Sequence, residues 1–354
     1  MNFRWFGTKA RAPRLARWSA GVWSSGEAPQ GYEAQVRAGY LGNPVAQRAV
    51  RLVAESAGSA PLIGDAAVLR LLVRPNPGQA GMDFIEGLAT ALLLHGNAFV
   101  TGDGMALHLL RPERISIEAG SDGWPAAYVY RAGNAVTRFA PEQVLHVKGF
   151  HPLDDHFGLG CMGAAAGAVA LHNAASKWNR ALLDNAARPS GALVFGGGDE
   201  SWMSGEQFDR MRAEMDAQFA GAANAGRPML LEGGLKWQPM SLTPAELDFV
   251  GAKEAAAREI ALAFGVPPML LGLPGDNSYA NYSEANRALW RLTVLPLLGK
   301  ILGGLSAFLG GAVDVDRDKV PSLSEDRARL WAQVTAADFL SADEKRAMVF
   351  GSSG

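Results

Sequence analysis

The sequence predicts an α+β fold, in which helices and antiparallel strands occupy separate stretches of the 354 residues. Short segments with alternating apolar residues lie between residues 106 and 150, and the Gly and Pro residues between them indicate a sheet with hairpins. From Gly158 onward the pattern changes, and residues 162–187 are an alanine-rich segment long enough for one continuous helix. A chain of this length has room for two or three compact modules.

Residues 1–30 are expected to form an extended basic arm. No acidic residue precedes Glu27, and we find no apolar run of the kind that a signal peptide needs. Two interpretations are open for the arm, a solvated tail or a segment that contacts DNA or a neighbouring subunit. Its basic residues are Arg4, Lys9, Arg11, Arg14 and Arg17.

Helix signals precede the predicted sheet. Asn43 is placed to cap a helix over residues 43–62, with Pro44 at the first helical position. Residues 68–81 are an apolar run that ends in a Pro/Gly turn, which predicts a strand. Residues 82–96 predict a second helix that leads directly into a strand.

The chain beyond the long helix alternates between strands and a helix. Residues 191–195 (GALVF) predict one strand, and residues 227–242 predict two more around a pair of glycines. A helix then runs to Gly265, and Glu254 and Arg258 are spaced to pair within it.

A loop, an apolar helix and a short helical tail complete the chain. Residues 272–284 are polar and predict the loop, and residues 284–309 predict the apolar helix. The chain after Val320 predicts one or two short helices, with Ser341 and Glu344 at capping-box spacing.

Composition narrows the functional classes. The formal net charge is −2, which does not favour a nucleic-acid clamp built on clustered cations, and the single cysteine, Cys161, excludes an internal disulfide. The apolar run from Leu292 to Leu309 is interrupted by Pro296 and Lys300, so we interpret it as a helix buried in protein. The alternative interpretation, a membrane-associated protein, would rest on this run alone.

A glycine pattern raises the alternative of a nucleotide-binding enzyme. Gly158, Gly160 and Gly163 form a G-x-G-x-x-G, which is typical of dinucleotide-binding turns. Such a turn follows its strand directly and places an acid at the end of the next strand. Here seven residues separate the strand from Gly158, and the acid at the expected distance, Asp184, falls within a predicted helix.

No other constellation predicts chemistry. His151 and His156 flank two aspartates, but no further His or Cys cluster completes a metal shell. Cys161 has no nearby cation in sequence and is expected to be a packing residue. The sequence predicts no catalytic residue, no cofactor and no metal.

A series of phrases in a fixed order resembles the portal proteins of tailed phages and of gene transfer agents. Each phrase is moderately specific, whereas the ordered series, over roughly residues 40–310, is highly specific. The C-terminal segment 330–348 also resembles the gene transfer agent branch of this family. The phrases are HGNAFV (95–100), QVLHVKGF (143–150), GLGCMGAAAGAV (158–169), NAARPSGALVF (185–195), residues 225–250, EIALAFGVPPMLLG (259–272) and SYANYSEANRALWRLTVLPLL (278–298).

The resemblance implies a portal fold with a defined order of parts. After the basic arm these parts are a mixed α/β wing (31–161), a first stem helix (162–187), a small α/β clip (188–243), a second stem helix (244–269), a tunnel loop (270–284), a tunnel or wing helix (285–309) and a short helical crown (310–354).

The resemblance also implies a function without catalysis. Portal proteins form a ring, usually of twelve subunits, at one capsid vertex, and double-stranded DNA is packaged and ejected through the central channel. The implied partners are the major capsid protein, the terminase large subunit, which holds the ATPase, and a head–tail adaptor. The ring would be assembled in the bacterial cytoplasm and reside in a virion or phage-like particle, with no membrane and no cofactor.

Three groups of residues are candidates for contacts in such a particle. The tunnel-loop residues carry a single charge. Each phosphate that a cation neutralises adds affinity and would hold the DNA in place, so a loop with few charges suits DNA that slides. The clip residues would contact terminase or adaptor, and the basic residues of the arm would contact DNA or a neighbouring subunit. The tunnel-loop residues are Asp276, Asn277, Ser278, Tyr279, Asn281 and Tyr282, and the clip residues are Arg227, Lys236 and Trp237.

Overall fold

The protein contains two compact units, the first formed by residues 1–166 with 259–354 and the second by residues 167–258. Helices and antiparallel strands are both present, so the predicted α+β class is confirmed. The computed structural model describes residues 15–16, 32–184, 191–195, 206, 209–210, 213, 235–239, 249–274 and 279–350.

Four helices lie between residues 32 and 95 of the first unit. They are α1 (Tyr32–Val36), which continues as a π-helical turn to Leu41, α2 (Pro44–Gly58), α3 (Ala66–Val73) and α4 (Gly81–His95). The predicted cap of α2 is confirmed, because Asn43 Oδ1 accepts hydrogen bonds from the backbone N–H groups of Val45 and Ala46, both at 3.0 Å. Helices α2 and α4 pack against each other and contribute much of the core.

Helix α3 corrects the prediction of a strand for the run that starts at Val68. Val68 and Leu72 are four residues apart and are both buried, which is a helical spacing. The run is also rich in leucine, which has high helix propensity. Since nearly every residue of the run is apolar, its periodicity could not distinguish a buried strand from a helix.

The predicted antiparallel strands form two sheets. The first has the order β1-β5-β6-β7, from β1 (Leu15–Ala16), β5 (Ile115–Ala119), β6 (Pro125–Ala132) and β7 (Ala135–Phe139). The second has the order β4-β3-β8, from β3 (Asn97–Gly102), β4 (Leu107–Leu110) and β8 (Val144–Lys148). Every pairing in them is antiparallel.

One apolar cluster joins these two sheets. It takes buried residues from β3, β4, β5, β6 and β8, and also Phe157 from the segment between β8 and the next helix. Phe157 is 1% exposed, so this segment is anchored in the core at that point. The buried members are Phe99, Leu110, Ile115, Ile117, Tyr128, Val144 and Phe157.

Helix α5 (Cys161–Asp184) begins in the first unit and continues in the second, where it accounts for most of the predicted alanine-rich helix. The second unit also contains β9 (Gly191–Phe195) and β10 (Leu235–Pro239), which pair antiparallel. Helix α6 (Phe249–Ala263) follows, and its predicted pair is present, with Arg258 and Glu254 3.7 Å apart. The first of the two strands predicted for residues 227–242 lies outside the described residues.

The apolar helix of the first unit starts earlier than predicted. Helix α7 (Tyr279–Leu289) continues through a π-helical turn, Trp290–Val294, into α8 (Leu295–Leu309). The turn has a physical cause, because Pro296 has no N–H to donate to the carbonyl four residues earlier. In the turn, Leu295 N–H donates to the carbonyl of Trp290, five residues back.

The run from Asn281 to Leu309 has the length and composition of a membrane-spanning helix, a test that core helices of soluble proteins also pass. Leu298, Ile301 and Leu305 are fully buried, and α8 contacts α2, α4 and β8. Leu292 is exposed. One face of the helix is therefore buried in protein, as the sequence predicted.

The C-terminal part adds a small sheet and two helices. Strand β11 (Val313–Val315) pairs with β2 (Leu62–Gly64), and α9 (Ser324–Ala336) and α10 (Ala342–Phe350) follow, as predicted. The capping box of α10 is present, because Ser341 N–H donates to Glu344 Oε2 at 2.8 Å and Glu344 N–H donates to Ser341 Oγ at 3.3 Å.

Candidate functional site

The glycines before α5 lie against backbone from two other segments. A Cβ atom on Gly158 would lie 2.2 Å from the carbonyl oxygen of Gly96 and 2.6 Å from the amide nitrogen of Gly149. A Cβ atom on Gly160 would lie 2.6 Å from the carbonyl oxygen of Leu94. Because these neighbours are backbone atoms, they cannot rotate aside as a side chain can. Only glycine allows the three segments to approach this closely.

This packing differs from that of a phosphate-binding turn. A phosphate-binding turn points its backbone N–H groups at the ligand. Here the Gly158 N–H donates to Asn97 Oδ1 at 2.7 Å, and the Gly149 N–H donates to the Gly96 carbonyl at 2.8 Å. Gly163 lies within α5 instead of the turn. The glycines therefore serve close chain packing.

Asn97 connects the end of α4 to the segment that leads into α5. Gly96, with a φ of 78°, ends α4 in the left-handed conformation, and Asn97 is the first residue of β3. The Asn97 side chain is fully buried; its Oδ1 accepts from the Gly158 N–H, and its Nδ2 donates to the Gly158 carbonyl at 3.0 Å. The amide thus pairs with both backbone groups of Gly158, as a neighbouring strand would.

Two histidines complete this hydrogen-bond network. His146 Nε2 lies 2.9 Å from Asn97 Oδ1, and Asn97 Nδ2 lies 3.1 Å from His95 Nδ1. The His146 ring stacks on Phe99 with ring centroids 4.2 Å apart, and the His95 ring meets Tyr32 edge-on at 4.6 Å. We call His95, Asn97, His146 and Gly158 the junction network.

Burial keeps both histidines neutral. It lowers the pKa of His95 to about 4, and it lowers the pKa of His146 to about 3, with a smaller contribution from the positive charge of Lys148. Burial also raises the pKa of Tyr32 to about 12, and Glu113 adds to that effect. All three groups are therefore uncharged at neutral pH.

The junction network was not predicted from the sequence, although the phrase HGNAFV contains two of its members. One signal was available. A glycine that ends a helix and is followed directly by Asn, ahead of a strand, places a short amide at a turn of the backbone. The partner of that amide, Gly158, is distant in sequence and could not be found from local patterns.

The histidines between β8 and α5 organise a loop. His151 Nδ1 accepts the Leu153 N–H at 3.0 Å, and Asp154 Oδ1 accepts the N–H groups of His156 and Phe157 at 2.8 and 3.0 Å. Within the described part of the chain, no group of three or more His, Cys, Asp or Glu residues is placed to hold a metal ion. Burial raises the pKa of the Cys161 thiol, which makes it a weaker nucleophile.

A groove of about 1460 Å³ runs beside α1 and α4 in the first unit. Its lining contains four acidic and four basic residues. Arg37 lies 2.7 Å from Glu33 and Arg111 lies 3.8 Å from Glu113, and Arg131 donates to Ser116 Oγ at 2.6 Å. A groove with as many acidic as basic residues is not typical of a site for an anionic cofactor.

The structure places part of the predicted tunnel loop in a helix. Tyr279, Asn281 and Tyr282 belong to α7, which corrects the prediction of a loop up to residue 284. Asn281 and Tyr282 are exposed, whereas Arg287 is buried and bonded to Glu284 at 2.7 Å. The helix is thus buried near its C-terminal end, at Arg287 and Leu289, and exposed at Asn281 and Tyr282. A loop was predicted because this stretch is rich in small polar residues. Asp276, Asn277 and Ser278 lie outside the described residues.

The remaining candidates lie in the second unit and the arm. Lys236 and Trp237 belong to β10, where they are opposite Val194 and Leu193 of β9. Strand β1 of the arm pairs with β5, with Leu15 opposite Glu118. Outside the described residues lie Arg227 and the basic residues Arg4, Lys9, Arg11, Arg14 and Arg17.

Comparisons with known proteins agree with the resemblance in the sequence. A family model described as "Phage portal protein" matches residues 44–349. The "Probable portal protein" of Streptomyces phage phiC31 is 30% identical over 300 residues, which are 77% of this chain and 65% of that protein.

Two solved structures of gene transfer agent (GTA) necks are also similar. A chain in the "Neck of native GTA particle computed with C12 symmetry" is 47% identical with a TM-score of 0.72, and 96% of each chain is covered. A chain in the "Neck of empty GTA particle computed with C6 symmetry" has the same identity and TM-score, over 93% of this chain and 95% of that one. The family model, the relative and the α+β portal fold agree, and the chain belongs to the phage portal protein family.

Proposed function

We propose that this chain forms a ring at one vertex of a phage-like particle and that DNA enters and leaves through the channel of the ring. The observation that carries the proposal is the match, over almost the full length of both chains, with a chain in a gene transfer agent neck computed with twelvefold symmetry. A ring of twelve copies requires two different, complementary faces on every subunit. We ascribe no catalytic step to the chain, since the terminase large subunit would supply the ATPase.

The order of parts within the subunit belongs to the same proposal. Residues 31–161 would be the wing, 162–187 and 244–269 the stem helices, 188–243 the clip, 270–284 the tunnel loop and 310–354 the crown. The second compact unit spans residues 167–258, which supports a separate body made of stem and clip. The early start of α7 shortens the proposed tunnel loop at its C-terminal end.

The exposed start of α7 is the part of the proposed channel lining that the structure describes. Tyr282 is 53% exposed and Asn281 is also exposed, and neither carries a charge. Glu284 is held by Arg287. An uncharged surface makes few lasting contacts with phosphates, and this suits a duplex that must move along it.

The proposed partners follow from the position of a portal in a particle. The clip, with Arg227, Lys236 and Trp237, would contact the terminase large subunit during packaging and a head–tail adaptor afterwards. The wing would contact the major capsid protein, and the basic arm would contact DNA or a neighbouring subunit. Assembly would take place in the bacterial cytoplasm.

Electron microscopy of the purified full-length protein tests the ring. We expect closed rings with a central hole, with twelve subunits after symmetry-free classification. A protein that stays monomeric at all concentrations, and whose melting temperature rises in a saturable way with NAD or ATP, would contradict the proposal and restore the enzyme alternative.

A charge variant tests the channel. In Tyr282→Lys every subunit of the ring would present an added cation to the duplex. The DNA should then be held at the channel wall and packaging should slow severalfold, whereas the rings should keep their normal size. The matched control is Val136→Lys, which adds the same charge at an exposed position of β7 in the wing. DNA content per particle is the measurement. Equal DNA content in the two variants would show that Tyr282 does not line the channel.

A further inference from the structure

The orientation of the Asn97 amide is fixed by Gly158. The Gly158 N–H can only donate, so the atom that faces it at 2.7 Å must be the oxygen Oδ1. The nitrogen Nδ2 then points to the other side, where it lies 3.0 Å from the Gly158 carbonyl and 3.1 Å from both His95 Nδ1 and the His95 carbonyl. The two hydrogens of the amide nitrogen are shared among these three acceptors, and an N–H on His95 Nδ1 would oppose them at 3.1 Å, so the neutral tautomer that fits the contact carries its proton on Nε2 and leaves Nδ1 bare.

The two histidines therefore respond differently to a proton. Protonation of His95 adds a hydrogen to Nδ1, so that both ring nitrogens carry one. The new N–H faces the N–H of Asn97, and an attractive contact becomes a repulsive one. His146 donates from Nε2 to Asn97 Oδ1 and would still donate when its other nitrogen is protonated. His95 is the member of the junction network whose protonation breaks a hydrogen bond of the amide.

We infer that His95 and Asn97 form an acid-released latch, which holds the Gly158 segment against the start of β3 while His95 is neutral and releases it when His95 takes up a proton. All the groups involved lie in the first unit, so this inference is independent of ring formation and of the proposed channel. The segment that is released leads directly into α5.

The surroundings of the latch set the direction of the pH dependence. The ordinary pKa of a histidine is 6.5, and burial lowers that of His95 to about 4 in the closed form. The open form consequently binds a proton more readily, and opening is favoured as the pH falls from about 6.5 to about 4. The titratable and charged groups on the elements around the two rings are Tyr32 and Glu33 of α1, Arg37 of the π-helical turn that continues it, Asp83 and Glu86 of α4, Arg111, Glu113 and Arg114 ahead of β5, Tyr128 and Arg131 of β6, and Lys148 and His156.

Hydrogen–deuterium exchange of the full-length protein tests the latch, read out on the peptide that contains Gly158. With uptake corrected for the intrinsic rate, protection should fall about twentyfold between pH 7 and pH 5 from His95 alone. In His95→Gln, an uncharged oxygen accepts from Asn97 and most of this fall should disappear. The control His108→Gln, at an exposed position of β4, should respond as the wild type does.

Two results would overturn the inference. One is a wild-type protein whose protection at Gly158 does not change between pH 7 and pH 5, and the other is a His95→Gln variant that loses protection as the wild type does. If His95→Gln does not fold, Asn97→Ala decides. This variant lacks the latch at every pH, so its Gly158 peptide must exchange rapidly at pH 7, and slow exchange there contradicts the inference.

Discussion

Gly158 and Gly163 belong to one short glycine-rich stretch, yet they lie in opposite environments. A Cβ atom on Gly158 would meet the backbone of Gly96 and Gly149 at 2.2–2.7 Å. Among the described residues, no heavy atom outside the neighbouring residues and the backbone of α5 itself lies within 4 Å of a Cβ atom built on Gly163 or on Gly167. Gly158 precedes α5, whereas Gly163 and Gly167 lie inside it.

The difference shows that one pattern of glycines can serve two purposes. At the junction, glycine is required because three segments of backbone touch. Inside α5 the described residues would accommodate a larger side chain, and glycine there costs helix stability. Regular spacing in the sequence does not distinguish these cases, because the atoms that crowd Gly158 belong to Gly96 and Gly149.

The largest effect is expected for Gly158→Ala. The added methyl group overlaps backbone atoms that cannot move without breaking the Gly149–Gly96 hydrogen bond, so the free energy of unfolding should fall by about 3 kcal/mol or more. Urea unfolding of the variant measures this. An alanine variant as stable as the wild type would show that the two glycines do not differ.

A smaller effect is expected from acid, through the histidines of the junction network. The folded pKa of His146 is about 3 and its ordinary value is 6.5, so the unfolded chain binds the proton more readily, and stability falls as the pH falls below about 6.5. At pH 5 this histidine alone should cost about 2 kcal/mol relative to pH 7. His146→Gln retains a donor for Asn97 and should remove that share of the loss.

The control for the acid experiment is a half-buried histidine outside the network. His151→Gln changes a residue of the linking loop outside the network, and its urea unfolding at pH 7 and pH 5 should match the wild type. If the free energy of unfolding of His146→Gln falls as much at pH 5 as that of the wild type, His146 is not buried as a neutral ring. The junction would then differ from α5 only in how closely its glycines are packed.

Much of the fold could be predicted because its signals are local. The cap at Asn43, the helix end at Gly96 and the capping box at Ser341 each depend on residues within a few positions, and all three are confirmed. The strand predicted at Val68 was wrong because an almost uninterrupted apolar run has no readable period. The family was predicted from an ordered series of phrases and is confirmed.

The junction network could not be predicted because its contacts are distant in sequence. Asn97 bonds to Gly158, and His146 approaches Asn97 only because β8 lies beside β3 in the sheet. The spacing around the glycines did not fit a dinucleotide-binding turn, but the sequence did not identify what Gly158 packs against. The predicted channel, clip and arm contacts stay predictions.

The smallest effect, and the one of opposite sign, is expected for Gly163→Ala. Alanine restricts the unfolded chain and favours the helix, and the described residues leave room for the methyl group, so stability should rise by about 0.5–1 kcal/mol. The variant should be measured by urea unfolding of the unassembled protein and then by its yield of rings. A gain in stability together with a loss of rings would mean that a neighbouring subunit packs on Gly163. In that case both glycines serve close packing, Gly158 within the subunit and Gly163 between subunits.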